Sequence, residues 1–260
     1  MSSALIGYTG FVGGNLRAQQ TFDDCYNSSS IEDIRGKHYG MLVCAGVPAA
    51  KWIANRDPDK DRENIAHLSR QLESITVDKF ILISTVDVYP HPVGVDEASA
   101  IDIDACEPYG RHRLQLEQFI SGRFDTLIVR LPGLFGPGLR KNVIYDFLHD
   151  NEVERINPDG VFQFYSLEHL THDIRRALDH GLDVINITSE PTSVAEIAPL
   201  ILGHPFVNQV SAPPARYDYR SRHADLFGGS DGYLYSKAQV LSDLGKFVAA
   251  EKARPESGGV

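Results

Sequence analysis

Three stretches of the chain are almost entirely apolar and lack the alternation of a half-exposed strand: MLVCAG (41–46), FILIST (80–85) and TLIVRL (126–131). This pattern is typical of strands that helices cover on both faces. Amphipathic stretches follow the first two, DRENIAHLSRQLESI (61–75) and YGRHRLQLEQFISGRF (109–124), and predict helices. Strands that alternate with helices predict an α/β fold with a doubly wound parallel sheet.

Weaker patterns predict the remaining elements. Further strands are expected at ALIGY (4–8), at DCYN (24–27) and at DVINIT (183–188). Further helices are expected over 142–150, 166–181, 193–202 and 234–247, the third of them capped by Ser193.

Composition narrows the classes of partner. The chain has 25 Lys and Arg against 35 Asp and Glu, a formal net charge of −10, and such a surface repels phosphate backbones and anionic membranes. We therefore expect neither nucleic acid nor a membrane as a partner. No apolar run reaches the ~18 residues of a membrane span, and no secretory signal is recognisable. The three widely spaced cysteines predict a reducing, cytoplasmic setting.

Glycines are concentrated directly after the first predicted strand. Gly7, Gly10 and Gly13 lie between that strand and the helix that follows. In a dinucleotide-binding turn, the first glycine makes the turn, the second lets a pyrophosphate approach, and the third lets the helix pack on the strand. The spacing G-x-x-G-x-x-G differs from the general fingerprint G-x-G-x-x-G, and a purely structural turn is the alternative.

Further segments accompany this turn in a fixed order: GYTGFVG, CAGVPAA, ISTVDVYP, EPYGRHR and VRLPGLFGPG. Together they resemble the extended branch of the short-chain dehydrogenase/reductase family, which comprises nucleotide-sugar epimerases, dehydratases and reductases. The resemblance implies a Rossmann-type fold and NAD or NADP as cofactor. It also implies a homodimer built through the helix that carries Tyr109. The cofactor-binding residues it implies are Gly7, Thr9, Gly10, Phe11, Val12, Gly13, Ala45, Gly46, Val47 and Pro132.

The segment EPYGRHR stands where the family has Tyr-x-x-x-Lys. The resemblance therefore makes Tyr109 the acid/base and Thr85 the group that orients the substrate oxygen. Arg113 replaces the lysine, and its charge is expected to lower the Tyr109 pKa, because a nearby cation favours the phenolate. An arginine is bulkier and planar, so the family's contact to the nicotinamide ribose would have to be remade. The alternative is that Arg113 is a surface charge and Tyr109 a structural aromatic residue.

The choice between NAD and NADP stays open. The residue that contacts the adenosine ribose should lie about 20 residues beyond the glycine turn. The chain reads YNSSS there and has neither the acidic residue that suits NAD nor the basic residue that suits NADP. Asn27 or Ser28 could serve either cofactor.

Candidate substrate-binding residues come from several segments. Asp87 lies in ISTVDVYP, and Asn142 lies where extended family members place an asparagine against the substrate. Arg216 and Arg222 belong to a local basic cluster that could grip a diphosphate or carboxylate, or form salt bridges. Trp52 is expected in the core. His169 and His172 are three residues apart rather than four, so no metal site is expected.

Together these observations predict a dinucleotide-binding domain over 1–160, to which 183–202 returns. A small substrate lobe is expected from 161–182 and 203–247, and a disordered tail over 248–260. The predicted function is that of an NAD(P)-dependent oxidoreductase or epimerase/dehydratase. Because the chain is shorter than typical nucleotide-sugar epimerases, a small hydroxyl or carbonyl compound is expected as substrate, such as a sugar derivative. The alternative is a non-catalytic NAD(P)-binding sensor.

Overall fold

The computed structural model describes residues 2–254. Over this range the strands are β1 Ser3–Ile6, β2 Asp24–Tyr26, β3 His38–Cys44, β4 Thr76–Thr85, β5 Thr126–Leu131, β6 Gly133–Phe135, β7 Val161–Phe162, β8 Phe164–Ser166, β9 Val184–Asn186 and β10 Thr192–Ser193. The α-helices are α1 Phe11–Gln19, α2 Lys51–Arg56, α3 Pro58–Leu72, α4 Pro108–Ser121, α5 Val143–His149, α6 Leu170–Asp179, α7 Val194–Leu202 and α8 Lys237–Ala253.

Six strands form one parallel sheet in the order β2-β1-β3-β4-β5-β9. The doubly wound parallel sheet predicted from the apolar runs, and the Rossmann-type fold implied by the resemblance, are thereby confirmed. The chain runs outward from β1 in both directions, so the order reverses between β1 and β3. In sheets of this kind ligands bind at that reversal, beyond the carboxyl ends of the strands.

Both faces of the sheet are covered, which explains the continuous apolar runs. Leu42 and Phe80 face α3 and α4, while their neighbours Val43 and Ile81 pack on the opposite face with Leu16 of α1 and with residues of α6. Successive residues of a strand point to opposite faces, so each position needs an apolar side chain. Burying one such side chain contributes about 1.5–3 kcal/mol.

The C-terminal part adds two small sheets and a third core. β6 pairs with β8 in parallel, and β10 pairs with β7 antiparallel. Ser193 caps α7 through a reciprocal capping box with Glu196, as the sequence predicts. Helices α5, α7 and α8 share a cluster that includes Phe135, Ile197 and Val248.

The prediction of a disordered tail from residue 248 is wrong for its first part. Helix α8 continues to Ala253, because Val248 packs in the cluster shared with α5 and α7. Residues 255–260 of the predicted tail lie outside the described residues. Across residues 2–254, no helix combines the length and the apolar character that crossing a membrane requires.

Helix α2 was not predicted, and it changes the position of Trp52. The side chain of Trp52 is 62% exposed rather than in the core. Helix α2 is short and buries only Ala54, so the indole lies at the surface, where the Arg56 guanidinium lies over it.

Candidate functional site

The glycine turn is shaped by backbone contacts that no side chain could share. Gly7 has φ +86°, and a Cβ there would lie 2.5 Å from the Ala45 carbonyl oxygen. A Cβ on Gly13 would lie 2.1 Å from the Gly7 carbonyl oxygen. These glycines therefore let the ends of β1 and β3 and the first turn of α1 approach one another, as expected for a turn and a helix–strand contact.

Gly10 differs, because its own surroundings are open. A Cβ there would meet only the Gly7 oxygen, at 3.3 Å. Gly10 is also the N-cap of α1, and no side chain caps the helix. Thr9 and Gly10 are exposed, and Phe11 and Val12 begin the helix half-buried. Amides at an uncapped helix N-terminus suit a phosphate, so this turn fits the pyrophosphate of a dinucleotide.

The second loop lies beside the first. The Ala45 amide donates to the Ile6 carbonyl over 2.9 Å, which ties the end of β3 to the end of β1. A Cβ on Gly46 would lie 2.7 Å from the Ile6 side chain. Val47 follows directly, and Pro132 joins β5 to β6. These predicted cofactor-binding residues thus stand at the carboxyl edge of the sheet.

The loop after β2 is organised by Asn27. Its carboxamide oxygen accepts hydrogen bonds from the Ser29 amide and from the hydroxyls of Ser29 and Ser30. Ser28 is exposed. Asn27 therefore has a structural role in this loop, and the contact that either residue would make with a cofactor stays a prediction.

Tyr109 lies in the first turn of α4, against the segment that follows β4. Its amide donates to Asn55 Oδ1 over 2.9 Å. A Cβ on the next residue, Gly110, would lie 2.0 Å from the Asp87 carbonyl oxygen, so this glycine is what allows the helix to approach the segment. This close packing brings Tyr109 together with Thr85 and Asp87.

The net shift of the Tyr109 pKa is opposite to the predicted direction. The side chain is 7% exposed, and burial raises the pKa by more than the Arg113 charge and the Thr85 hydroxyl lower it. Arg113 thus acts in the expected sense, but loss of hydration of the phenolate outweighs it. In this structure Tyr109 is protonated at neutral pH.

Arg113 is not a surface charge. Its guanidinium forms a bidentate ion pair with Asp61 of α3, over 2.6 and 2.9 Å, and both side chains are 4% exposed. It also donates to the carbonyls of Pro48 and Tyr109. Its Cζ lies 3.8 Å from the centroid of the Tyr109 ring. The guanidinium is therefore fixed over the phenol.

Asp61 was missed by the sequence analysis, although the pattern holds a signal. Asp61, Ile65, Leu68 and Leu72 are spaced at four, three and four residues and share the buried face of α3. An acid on an apolar stripe needs a partner, and here the Arg113 and His112 side chains provide it.

Asp87, predicted to bind substrate, lies in a second polar group. Its Oδ1 accepts from Lys51 Nζ over 2.7 Å and from the Tyr217 hydroxyl over 2.9 Å. Burial lowers the pKa of Lys51, but Asp87 and Tyr217 raise it by more. Burial, followed by the Asp87 charge, raises the pKa of Tyr217 to about 12. The role of Tyr217 was not predicted, because it follows from a long-range contact.

The other predicted substrate residues have different surroundings. Asn142 caps α5, accepting from the amides of Ile144 and Tyr145 and donating to the Leu134 carbonyl, so the fold occupies its amide. Arg216 and Arg222 are exposed. Among the hydrogen bonds and ion pairs of residues 2–254, neither side chain is joined to Tyr109 or Asp87.

Comparisons with known proteins agree on the fold. No protein-family model matches the sequence, and a search of curated proteins finds no match. The structure is similar to a dTDP-4-dehydrorhamnose reductase from Clostridium acetobutylicum, with 14% identity, a TM-score of 0.73, and coverage of 97% of this chain and 100% of that one.

Two further solved structures give the same result. RMD from Pseudomonas aeruginosa, complexed with NADPH, has 17% identity and a TM-score of 0.69 over 95% of this chain and 99% of that one. An NAD-dependent NDP-hexosamine 5,6-dehydratase of tunicamycin biosynthesis has 14% identity and a TM-score of 0.75 over 98% of this chain and 99% of that one. The chain therefore has the fold of these three proteins.

Proposed function

We propose that the protein is an NAD(P)-dependent oxidoreductase or epimerase/dehydratase of the extended short-chain dehydrogenase/reductase type. The observation that carries the proposal is the position of Tyr109 beside Thr85, at the same sheet edge as the open turn of Gly10. Similarity in fold to RMD, which was solved in complex with NADPH, and to an NAD-dependent dehydratase supports it. The substrate is a small hydroxyl or carbonyl compound.

NAD or NADP would be held by the glycine turn and by the loop at Ala45–Val47, and when bound it supplies or accepts a hydride. Tyr109 then moves the proton. Because its pKa is raised, its hydroxyl suits the reducing direction, in which it donates a proton to the carbonyl oxygen of the substrate. Thr85 orients that oxygen through its hydroxyl.

Arg113 has a different task from the family's lysine. A guanidinium does not release its proton in proteins, so Arg113 takes no part in proton transfer. It holds the Tyr109 ring in place and favours the phenolate that forms when the proton leaves.

The second candidate is a dinucleotide-binding sensor without turnover. The bidentate ion pair between Arg113 and Asp61 favours it. An arginine tied to α3 in this way is less free to remake the contact that the family's lysine makes with the nicotinamide ribose. The two candidates differ in what the Tyr109 hydroxyl does.

The proposal is tested first by thermal shift with NAD+, NADH, NADP+ and NADPH, since a ligand that binds the folded state raises the melting temperature. The form that binds is then assayed with a panel of small aldehydes, ketones and sugar derivatives, followed by absorbance of the reduced nicotinamide. Tyr109→Phe should keep cofactor binding and lose turnover, while Tyr145→Phe should keep both. Binding without turnover, equal in wild type and Tyr109→Phe, would favour the sensor.

A further inference from the structure

Arg113 and Lys51 lie near Tyr109, and Lys141 lies near Arg113; the first two of these three basic side chains have a carboxylate partner. Arg113 is paired with Asp61, and Lys51 is paired with Asp87. Lys141 forms no ion pair within residues 2–254. This group of side chains therefore carries one uncompensated positive charge, in a chain whose formal net charge is −10.

Lys141 is placed close to the proposed chemistry. Its Nζ donates to the Ala49 carbonyl, and the preceding carbonyl, that of Pro48, accepts from Arg113. The two cations thus share consecutive peptide groups, and the Arg113 guanidinium lies over the Tyr109 ring. Lys141 is an exposed residue, so a ligand can approach its side chain.

The electrostatic surroundings of Lys141 are unfavourable for its charge. Loss of hydration, and then the like charge of Arg113, lower the pKa of Lys141, and the opposite charge of Asp87 only partly offsets them. An anion bound at Nζ would offset both effects, since an opposite charge favours the protonated amine. The fold itself supplies a neutral carbonyl at this point instead of a carboxylate.

We propose that Lys141 receives an anionic group of the substrate, a carboxylate or a phosphate, a few bonds from the carbon that reacts at Tyr109. This inference rests on the proposed function and narrows its substrate class to small hydroxy or carbonyl compounds that carry a negative charge near the reacting carbon. Such a group forms a charge-assisted hydrogen bond with the ammonium. A neutral compound leaves the excess charge uncompensated.

Binding to the cofactor-saturated protein tests the inference. Calorimetric titrations at constant ionic strength compare glycerol 3-phosphate with glycerol, and lactate with propane-1,2-diol, so that the two pairs distinguish phosphate from carboxylate. One anion should bind about tenfold more tightly than its neutral counterpart, as a charge-assisted hydrogen bond allows. Lys141→Gln should abolish this preference and Lys141→Arg should retain it. Arg140→Gln, which removes the neighbouring exposed charge, should leave it unchanged.

Several results would overturn the inference. One is that both anions bind no better than their neutral counterparts. Another is that Lys141→Gln and Arg140→Gln weaken anion binding equally, which would mean that the overall positive charge of this region, and not a contact with Lys141, attracts the anion. A third is that Lys141→Gln weakens binding of the dinucleotide rather than of the anion. Failure of wild type to bind any dinucleotide would instead overturn the proposed function, and this inference with it.

Discussion

Arg113 and Asp61 face each other between α4 and α3, and two hydrogen bonds of 2.6 and 2.9 Å join the guanidinium to the carboxylate. This relationship explains why an arginine stands at this position. A planar guanidinium can bind both carboxylate oxygens and still lie over the Tyr109 ring, whereas an ammonium is a point charge that cannot do both. The ion pair thus connects the fold of α3 to the geometry of the site.

Removing the Asp61 carboxylate should destabilise the protein strongly. Asp61→Ala leaves the Arg113 guanidinium buried without its partner, and breaking a buried ion pair in this way costs about 3–5 kcal/mol. Urea denaturation would measure the loss. Asp59→Ala is the matched control, because Asp59 lies on the same helix but its side chain is 84% exposed, and it should cost less than about 0.5 kcal/mol. Equal losses for the two variants would contradict the assignment.

The Tyr109 pKa should respond to the charge at residue 113. In the cofactor-free protein Tyr109 should ionise above its usual range, because burial dominates. Arg113→Met should raise the pKa further, since it removes the cation that favours the phenolate. Absorbance at the phenolate band, compared with Tyr109→Phe, isolates this one tyrosine. Ionisation of Tyr109 below the usual value, or a pKa lowered by Arg113→Met, would contradict the site described above.

Alanine substitutions at two glycines of the first turn should differ in their effects, one on stability and the other on dinucleotide binding. Gly13→Ala places a Cβ 2.1 Å from the Gly7 carbonyl oxygen, and overpacking of this kind costs about 1–3 kcal/mol. Gly10→Ala meets that oxygen only at 3.3 Å, so stability should change by less than about 1 kcal/mol. The added methyl would occupy space proposed for the pyrophosphate, and dinucleotide affinity should fall about tenfold. Unchanged affinity in Gly10→Ala would argue against a pyrophosphate there.

Tyr217 should make stability depend on pH in the alkaline range. Burial and the Asp87 charge raise its pKa to about 12 in the folded protein, above the value of about 10 in an unfolded chain. The unfolded state therefore releases this proton first, and the contribution to stability is complete below about pH 10 and is lost as the pH rises through the folded pKa. The free energy of unfolding of Tyr217→Phe, measured by urea denaturation, should fall less steeply with pH across this range than that of the wild type. Parallel curves would show that Tyr217 does not titrate in this way.

Much of the sheet could be predicted from sequence, because a strand covered on both faces requires an apolar residue at every position. Leu42, Val43 and Phe80 carry that signal unambiguously. The glycine turn could also be predicted from sequence, since only glycine fits at positions 7 and 13, where a Cβ would clash with backbone atoms. Trp52 was placed wrongly, because its hydrophobicity does not reveal that α2 is too short to bury it.

The partners of the site were harder to predict, because they depend on how elements pack rather than on local pattern. Asp61 meets Arg113 only once α3 lies against α4. Tyr217 comes from a segment without periodicity. The binding roles of Arg216 and Arg222 stay predictions, as does the role of Asn142 toward a substrate.

The hydrogen bond from Tyr217 to Asp87 spans 130 positions of the chain. During synthesis the ribosome therefore releases the glycine turn, the two loops beside it and Tyr109 long before Tyr217 emerges. On the proposed function, a nascent chain can hold a dinucleotide before Tyr217 reaches Asp87. Occupancy by the cofactor would then stabilise the incomplete sheet before the hydrogen bond between Tyr217 and Asp87 can form.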